Sequence, residues 1–246
     1  MIVGGNQKSG TTAIAALLAK ATGSRFSNDP FWHVARRDGR EGVLDDVLAG
    51  RMTVDEVVER YRAYFSAEII KDPNFSFLYP ELERRFPGAP QLFIVRDPRQ
   101  NIRSILNRLC IDGHLDELLP EHRQALAHEP GWRAILEGGG LGSTGDSHVA
   151  RLAQRWNIAV ARYLERSASI HLARYEDFLP DKASYIGMLA DKVGLRVTTD
   201  IREALDEQYQ PRGNHAISME EFFGQRNLRL IESICAAGMA RFGYAR

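Results

Sequence analysis

The stretch GGNQKSGTT, residues Gly4–Thr12, decides how the rest of the chain is interpreted. Gly5 and Gly10 are spaced as in the phosphate-binding pattern G-x-x-x-x-G-K-[ST], and a threonine occupies the hydroxyl position at its end. Thr11 replaces the lysine of that pattern, and the only lysine of the stretch is Lys8, inside the loop. Backbone amides at the start of a helix attract anions. The sequence therefore predicts an anion site whose lysine approaches the ligand from within the loop.

Apolar runs on both sides of this loop indicate an alternation of strands and helices. Ile2 and Val3 begin a short strand, and Thr11–Ala21 is apolar nearly all round, as in a helix covered on both sides. Further β-type runs, separated by helical stretches, are Glu68–Asp72, Gln91–Asp97 and Ser169–Asp177. This alternation predicts a single α/β domain over residues 1–246, with a parallel β-sheet flanked by helices.

The strand ends carry the polar residues that such a sheet would bring together. Ligands of parallel sheets bind at the carboxyl ends of the strands. Lys71, Arg96 and Tyr175 each lie near the end of a β-type run, and the loop Gly5–Gly10 follows the first strand. We therefore expect these residues to converge on one ligand site.

A helix is predicted directly after Arg96. Asp97 is suited to the N-cap and Pro98 to the first helical position. Ser104 lies two turns into this helix, eight residues after Arg96, so an arginine and a hydroxyl could bind one phosphate together. Apolar residues at helical spacing predict the buried stripe of the helix, formed by Ile102, Ile105, Leu106 and Leu109.

The composition argues against several classes of partner. The 32 basic and 32 acidic side chains of the 246 residues cancel, so no global field attracts nucleic acid and any anion site must be local. No uncharged apolar run approaches the ~18 residues of a membrane span, and a cytoplasmic protein without such a span is expected. Cys110 and Cys235 show no metal-ligand spacing and are expected to be buried thiols.

Four segments together resemble the sulfotransferases that use 3′-phosphoadenosine 5′-phosphosulfate (PAPS). Gln7–Thr12 (QKSGTT) is similar to their 5′-phosphosulfate loop, and Phe93–Leu106 (FIVRDPRQNIRSIL) is similar to their 3′-phosphate motif. Ala173–Phe178 (ARYEDF) and Arg241–Tyr244 (RFGY) are also typical of the family. The segments follow the family's order across almost the whole chain. The resemblance implies a P-loop NTPase-like sulfotransferase fold.

The resemblance also implies a site for PAPS as co-substrate, with 3′-phosphoadenosine 5′-phosphate (PAP) as product and no metal required. Lys8 would hold the 5′-phosphosulfate together with the backbone of Ser9, Gly10, Thr11 and Thr12. The lysine inside the loop would then meet the bridging oxygen, where negative charge develops during transfer.

A second set of residues would bind the rest of the nucleotide. By the resemblance, Arg96 and Ser104 recognise the 3′-phosphate, a group that ATP lacks. Tyr175 suits core packing as well as nucleotide contact. Arg212 and Gly213 lie in a turn where this sequence lacks the family's second glycine, and only the resemblance favours them over an ordinary surface turn.

The catalytic base has three candidates. Asn28–His33 (NDPFWH) lies where the heparan and protein-tyrosine members of the family place an acidic base, and Asp29 takes that position. His33 and Asp72 are alternatives, because one is close in sequence and the other lies at a strand end. Asp29 also suits a simple helix N-cap before Pro30.

The segment Lys71–Phe75 (KDPNF) is similar to the K-x-P-x-aromatic segment of the same members. Lys71 would be a second active-site lysine that stabilises the sulfuryl oxygens, unless it is a solvated strand end. Phe31, Trp32 and the aromatic residues of 74–79 could form an apolar pocket for the acceptor.

The acceptor expected from this reading is a hydroxyl of a small molecule or a glycan. Residues 110–148, which end in a glycine-rich stretch, are expected to form a flexible loop on the acceptor side. Two rival functions remain at the level of sequence: a kinase that uses ATP and magnesium held by Asp72, and a nucleotide-binding module without catalysis. The sequence leaves the oligomeric state open.

Overall fold

The computed structural model describes residues 1–40, 42–207 and 216–244. The described residues group into two compact units, one within 1–96 and 162–210 and the other within 97–161 and 211–246. The single domain expected from the sequence stays a prediction. None of the helices in the described part of the chain is long and apolar enough to cross a membrane.

The first unit contains a five-stranded sheet with the order β2-β3-β1-β4-β5. All of its strand pairs are parallel. The strands are β1 (Ile2–Gly5), β2 (Phe26–Asn28), β3 (Ile69–Lys71), β4 (Gln91–Val95) and β5 (Ile170–Arg174). The central strand β1 lies between β3 and β4, and the chain crosses from β3 to β4 on the other side of β1, so the loop after β1 lies at a topological switch point.

The helices of the described residues alternate with these strands, which confirms the predicted α/β class. In chain order they are α1 (Thr11–Thr22), α2 (Pro30–Arg37), α3 (Val43–Leu48), α4 (Val54–Arg60), α5 (Tyr79–Arg85), α6 (Pro98–Arg108), α7 (Pro120–Ala127), α8 (Pro130–Glu137), α9 (His148–Leu164), α10 (Tyr175–Phe178), α11 (Lys182–Lys192) and α12 (Met219–Arg241). Short 3-10 helices are Arg62–Phe65, Pro73–Phe77 and Arg202–Ala204.

Helix α1 is buried on almost every side, as its composition predicts. Ile14, Leu17 and Leu18 pack in one core cluster with sheet residues and with residues of α11. Burial of this helix fixes the position of its first turn, because few alternative packings fill the same space. The loop before α1 is therefore attached to a rigid element at each end.

In the second unit, α6 begins as the sequence predicts. The Asp97 side chain accepts a hydrogen bond from the Arg99 backbone N–H at 2.9 Å, and Pro98 is the first helical residue. Arg99 also binds Asp97 at 2.6 Å and Glu232 of α12 at 3.1 Å. Cys235 of α12 is buried, in agreement with the sequence.

Two local expectations were wrong, and one strand was missed. Helix α6 ends at Arg108, so Leu109 lies beyond it and is only half-buried. Cys110 follows in a left-handed conformation, with φ of 54°, and is exposed. The edge strand β2 was not anticipated, because its three residues are all half-buried and carry no alternating pattern.

Residues 110–148 contain more regular structure than the expected loop. Helices α7 and α8 both lie in this range. The backbone N–H groups of Thr144 and Gly145, near its end, donate to the side chain of Gln154, each at 3.0 Å. The flexibility of this segment and its place on the acceptor side stay predictions.

Candidate active site

The loop Asn6–Gly10, here called the Lys8 loop, joins β1 to α1 through two left-handed residues. Lys8 has φ of 67° and Gly10 has φ of 81°, and the Ser9 N–H donates to the Asn6 carbonyl at 3.2 Å. A lysine in this conformation costs about 1–3 kcal/mol of strain, which the surrounding structure must balance. The first turn of α1 has no acidic residue to offset its positive dipole end. The loop thus has the form of an anion site.

Tyr175 and Arg96 pack against one side of the Lys8 loop. The Arg96 guanidinium lies 4.7 Å from the centre of the Tyr175 ring, and it donates to the Lys8 carbonyl at 3.0 Å. A Cβ atom at Gly10 would come within 2.2 Å of the Tyr175 ring. Glycine is required at this position both for its φ and for this close approach. The structure thus brings Arg96 and Tyr175 together at the Lys8 loop, and their contact with a ligand stays a prediction.

The other side of the Lys8 loop is attached to the segment after β3. The Gln7 side-chain amide donates to the Asn74 side-chain oxygen at 2.9 Å. The buried Ser76 hydroxyl lies 3.4 Å from the Gly5 carbonyl. Sequence reasoning did not single out Gln7 or Asn74, and the one available signal was the place of Asn74 in the KDPNF motif.

Lys71 and Asp29 form an ion pair at the carboxyl ends of β3 and β2. The Lys71 ammonium donates to Asp29 Oδ1 at 2.7 Å, and the Asn28 side chain donates to Asp29 Oδ2 at 3.0 Å. The Lys71 side chain is 2% exposed and that of Asp29 is 30% exposed. Lys71 is therefore not a solvated strand end, and its partner is the acid that the sequence marked as the base.

Asp29 occupies the N-cap position of α2 but does not use its side chain as a cap. Its backbone is left-handed, with φ of 52°, and its carboxylate makes no capping hydrogen bond. The reading of Asp29 as a simple helix cap is correct for its position and wrong for its side chain.

Asp72, the next residue after Lys71, is buried and accepts several hydrogen bonds. Its Oδ2 accepts from the Phe31 N–H at 3.0 Å. Its Oδ1 accepts from the backbone and side-chain N–H groups of Asn74, at 2.9 and 2.8 Å. Burial raises the pKa of Asp72 to about 7, and the neighbouring Asp29 adds to this rise. Its 1% exposure separates it from any acceptor in solvent.

His33, the remaining candidate base, packs on Tyr64. The two rings are stacked with centres 5.2 Å apart. Burial lowers the pKa of His33, so the neutral imidazole predominates at neutral pH. His33 and Asn28 also line a cavity of about 370 Å³ beside β2. Neither Lys8 nor Asp29 lines this cavity, which is therefore separate from the Lys8 loop.

The expected apolar acceptor pocket is filled by its own side chains. The Phe31 ring packs edge-on against Phe75 at 6.1 Å and against Phe65 at 6.4 Å. Phe31, Phe75 and Tyr79 are all buried. Of the aromatic residues proposed for the pocket, only Trp32 is well exposed, at 52%. The other rings belong to the core and do not line an open pocket.

The other predicted nucleotide contacts differ in their exposure. Ser9 and Thr11 are buried, and Thr12 is half-buried in the first turn of α1. Ser104 is half-buried on α6 in the second unit, and its pairing with Arg96 stays a prediction. Arg212 and Gly213 lie outside the described residues.

Comparison with known proteins supports the fold. The chain is similar to the solved structure titled "Sulfotransferase Domain from the Curacin Biosynthetic Pathway", with a TM-score of 0.52. The two share 14% sequence identity, over 99% of this chain and 97% of that one. No protein-family model and no curated protein matches the sequence. The chain therefore has the sulfotransferase fold that its motifs predicted.

Proposed function

We propose that this protein is a sulfotransferase that moves the sulfuryl group of PAPS to a hydroxyl of a small molecule or a glycan. The observation that carries the proposal is the proximity of two devices at one sheet edge. One is a lysine-bearing anion loop at the switch point, and the other is the Lys71–Asp29 pair. The hydrogen bond between Gln7 and Asn74 joins the Lys8 loop to the segment that follows Lys71.

The donor side of this site suits a phosphosulfate. Lys8, the amides at the start of α1 and Arg96 concentrate positive charge in a chain with no net charge. In the reaction a bond forms between the acceptor oxygen and sulfur, while the bond from sulfur to the bridging oxygen breaks and PAP leaves. Lys8 would balance the charge that develops on the leaving phosphate, so the proposal needs no metal.

On the acceptor side, the proposed catalytic base is Asp29. One of its oxygens is held by Lys71, and its partial exposure lets an acceptor hydroxyl approach. Asp29 would accept the hydroxyl proton as the oxygen attacks sulfur. Lys71 would fix the orientation of this carboxylate and lie near the sulfuryl oxygens.

The kinase alternative needs a carboxylate that is open to magnesium. Asp72, its candidate, is buried and already accepts hydrogen bonds from Phe31 and Asn74. This arrangement favours a structural role for Asp72, so the kinase is the weaker proposal.

A cytoplasmic location is also part of the proposal, and it rests on the sequence alone.

A transfer assay tests the proposed reaction. PAPS labelled in its sulfuryl group would be incubated with phenolic, alcoholic and sugar acceptors, using the wild-type protein and Asp29→Asn. We expect a labelled sulfate ester with the wild type and a kcat about 10²–10⁴-fold lower with the variant, since the general base is removed.

Asp55→Asn on α4 is the matched control, because Asp55 is a mostly exposed carboxylate that pairs with Arg85. It should leave kcat unchanged. Binding of PAPS without transfer to any acceptor would favour the nucleotide-binding module instead. Equal kcat values for wild type and Asp29→Asn would move the role of base to another residue.

A further inference from the structure

Helix α2 begins in an unusual way, because the residue at its N-cap does not cap it. The first N–H groups of a helix have no partner within the helix, and an N-cap side chain commonly supplies one. Asp29 makes no such bond. Its oxygens are engaged by Lys71 and Asn28 instead.

The cap of α2 comes from a distant part of the chain. Asp72 Oδ2 accepts the Phe31 N–H across a separation of 41 residues, in a buried environment. The Asp72 backbone N–H donates to the Val3 carbonyl at 3.1 Å, so Asp72 is attached to β1 as well. A carboxylate held between β1 and α2 fixes the start of the helix relative to the central strand.

The same carboxylate leads back to the Lys8 loop. Asp72 Oδ1 accepts from the Asn74 side chain at 2.8 Å, and Asn74 accepts from Gln7 at 2.9 Å. Gln7 immediately precedes Lys8. Three hydrogen bonds, here called the relay, therefore connect the Lys8 loop to the residue two positions after Asp29.

We propose that Asp72 is a positioning residue that caps α2 in place of Asp29, and that Asn74 and Gln7 extend this constraint to the Lys8 loop. The cap leaves the Asp29 carboxylate available to Lys71 and to an acceptor. The role of Asp29 as base rests on the proposed function, whereas the relay itself rests on the hydrogen bonds alone.

Hydrogen-bond donors on two sides explain why a carboxyl group is needed at position 72. Its two oxygens accept from opposite sides, and an asparagine would offer only one acceptor oxygen. Asp72→Asn therefore keeps the volume but turns an NH₂ group toward one of the two sets of donors. The charged neighbours that act on Asp72 are Asp29, which opposes its ionisation, and Lys71, which favours it.

A ligand-free experiment tests the relay directly. Amide hydrogen exchange at Phe31 would be measured in wild type, Asp72→Asn, Asn74→Ala and Gln7→Ala. We expect exchange to be about tenfold faster in Asp72→Asn, and at least twofold faster in Asn74→Ala and Gln7→Ala. Asp181→Asn is the matched control, because Asp181 caps the distant helix α11 by accepting from Ser184 at 3.1 Å. This control should leave Phe31 unchanged.

Steady-state kinetics provide a second test of the proposed role of Asp72. If the cap acts through Asp29, Asp72→Asn should lower kcat by about 10–100-fold. The same substitution should have no further effect on kcat in an Asp29→Ala background. A purely structural role would lower the rate in both backgrounds.

The outcomes separate the two proposals. Unchanged Phe31 exchange in Asp72→Asn would overturn the relay, whatever the activity. Faster exchange in Asp72→Asn but not in Gln7→Ala would overturn its extension to the Lys8 loop. If the wild type transfers no sulfuryl group, the proposed function fails, and the exchange data alone decide on the relay.

Discussion

The segments that follow β1 and β3 lie at the same edge of the sheet, but different interactions hold them in place. The Lys8 loop relies on backbone geometry, with positive φ at Lys8 and Gly10 and a glycine under the Tyr175 ring. The segment Lys71–Phe75, here called the Lys71 segment, relies on side chains that reach partners about 40 residues away. Under the proposed function, the donor half of the site is shaped mainly by local backbone geometry. The acceptor half, here called the tertiary half, depends on side-chain contacts between distant residues.

The largest effect is expected in the Lys8 loop. Lys8→Ala should lower kcat by about 10²–10³-fold, because a fixed donor to the leaving group is lost. Lys20→Ala, at the other end of α1, is the control, since the Lys20 side chain is exposed and lies 3.9 Å from Glu207 in an exposed ion pair. Steady-state kinetics with PAPS would measure both. A Lys8→Ala enzyme with wild-type kcat would remove the loop lysine from the mechanism.

In the Lys71 segment, the pH dependence of stability should reveal the buried acid. The pKa of Asp72 is raised from 3.8 to about 7 on folding. The folded protein thus holds this proton more tightly, and stability relative to Asp72→Asn should fall as the pH rises from about 4 to about 7. The slope should reach at most ~1.4 kcal/mol per pH unit. Urea unfolding from pH 4 to pH 8 would measure it, and a pH-independent difference would contradict the burial argument.

The ion pair should show unequal costs for its two partners. Asp29→Ala leaves the buried Lys71 ammonium without its partner and should lower the free energy of unfolding by about 2–3 kcal/mol. Lys71→Met leaves only a partly exposed carboxylate and fills the same volume, so its cost should be about 1 kcal/mol or less. Denaturant unfolding of both variants measures the difference. Equal costs would mean that solvent reaches Lys71 more freely than its exposure indicates.

The smallest effect concerns backbone strain, because each half contains a non-glycine residue with positive φ. Asp29→Gly should be more stable than Asp29→Ala by about 1 kcal/mol, because glycine accepts the φ of 52° without strain. Lys8→Gly should likewise be more stable than Lys8→Ala by about 1 kcal/mol, because Lys8 has φ of 67°. Thermal unfolding of the four variants provides the comparison. If glycine increased stability only at position 8, the backbone of Asp29 would not be strained.

The difference between the two halves also explains what the sequence could predict. The Lys8 loop and the start of α6 were predictable, because glycine spacing, an N-cap aspartate and a first-turn proline act over a few residues. The predicted parallel sheet is confirmed. Arg96 and Tyr175 lie together next to the Lys8 loop, and their roles in binding stay predictions.

The tertiary half could not be predicted in the same way. The contact of Lys71 with Asp29 depends on the pairing of β2 with β3, and β2 has only three half-buried residues. The cap that Asp72 provides for Phe31 has no local signature, because its donor and acceptor lie 41 residues apart. Aromatic residues read as an acceptor pocket proved to be core, since composition does not distinguish a filled pocket from an open one.

The most direct test of the central claim is a calorimetric titration of the protein with PAP, in parallel with ATP and magnesium, for wild type and Arg96→Ala. We predict tight binding of PAP without metal and a large loss of affinity in the variant, because Arg96 would bind the 3′-phosphate that ATP lacks. Preference for ATP with magnesium, or PAP affinity that is equal in both proteins, would contradict the sulfotransferase account.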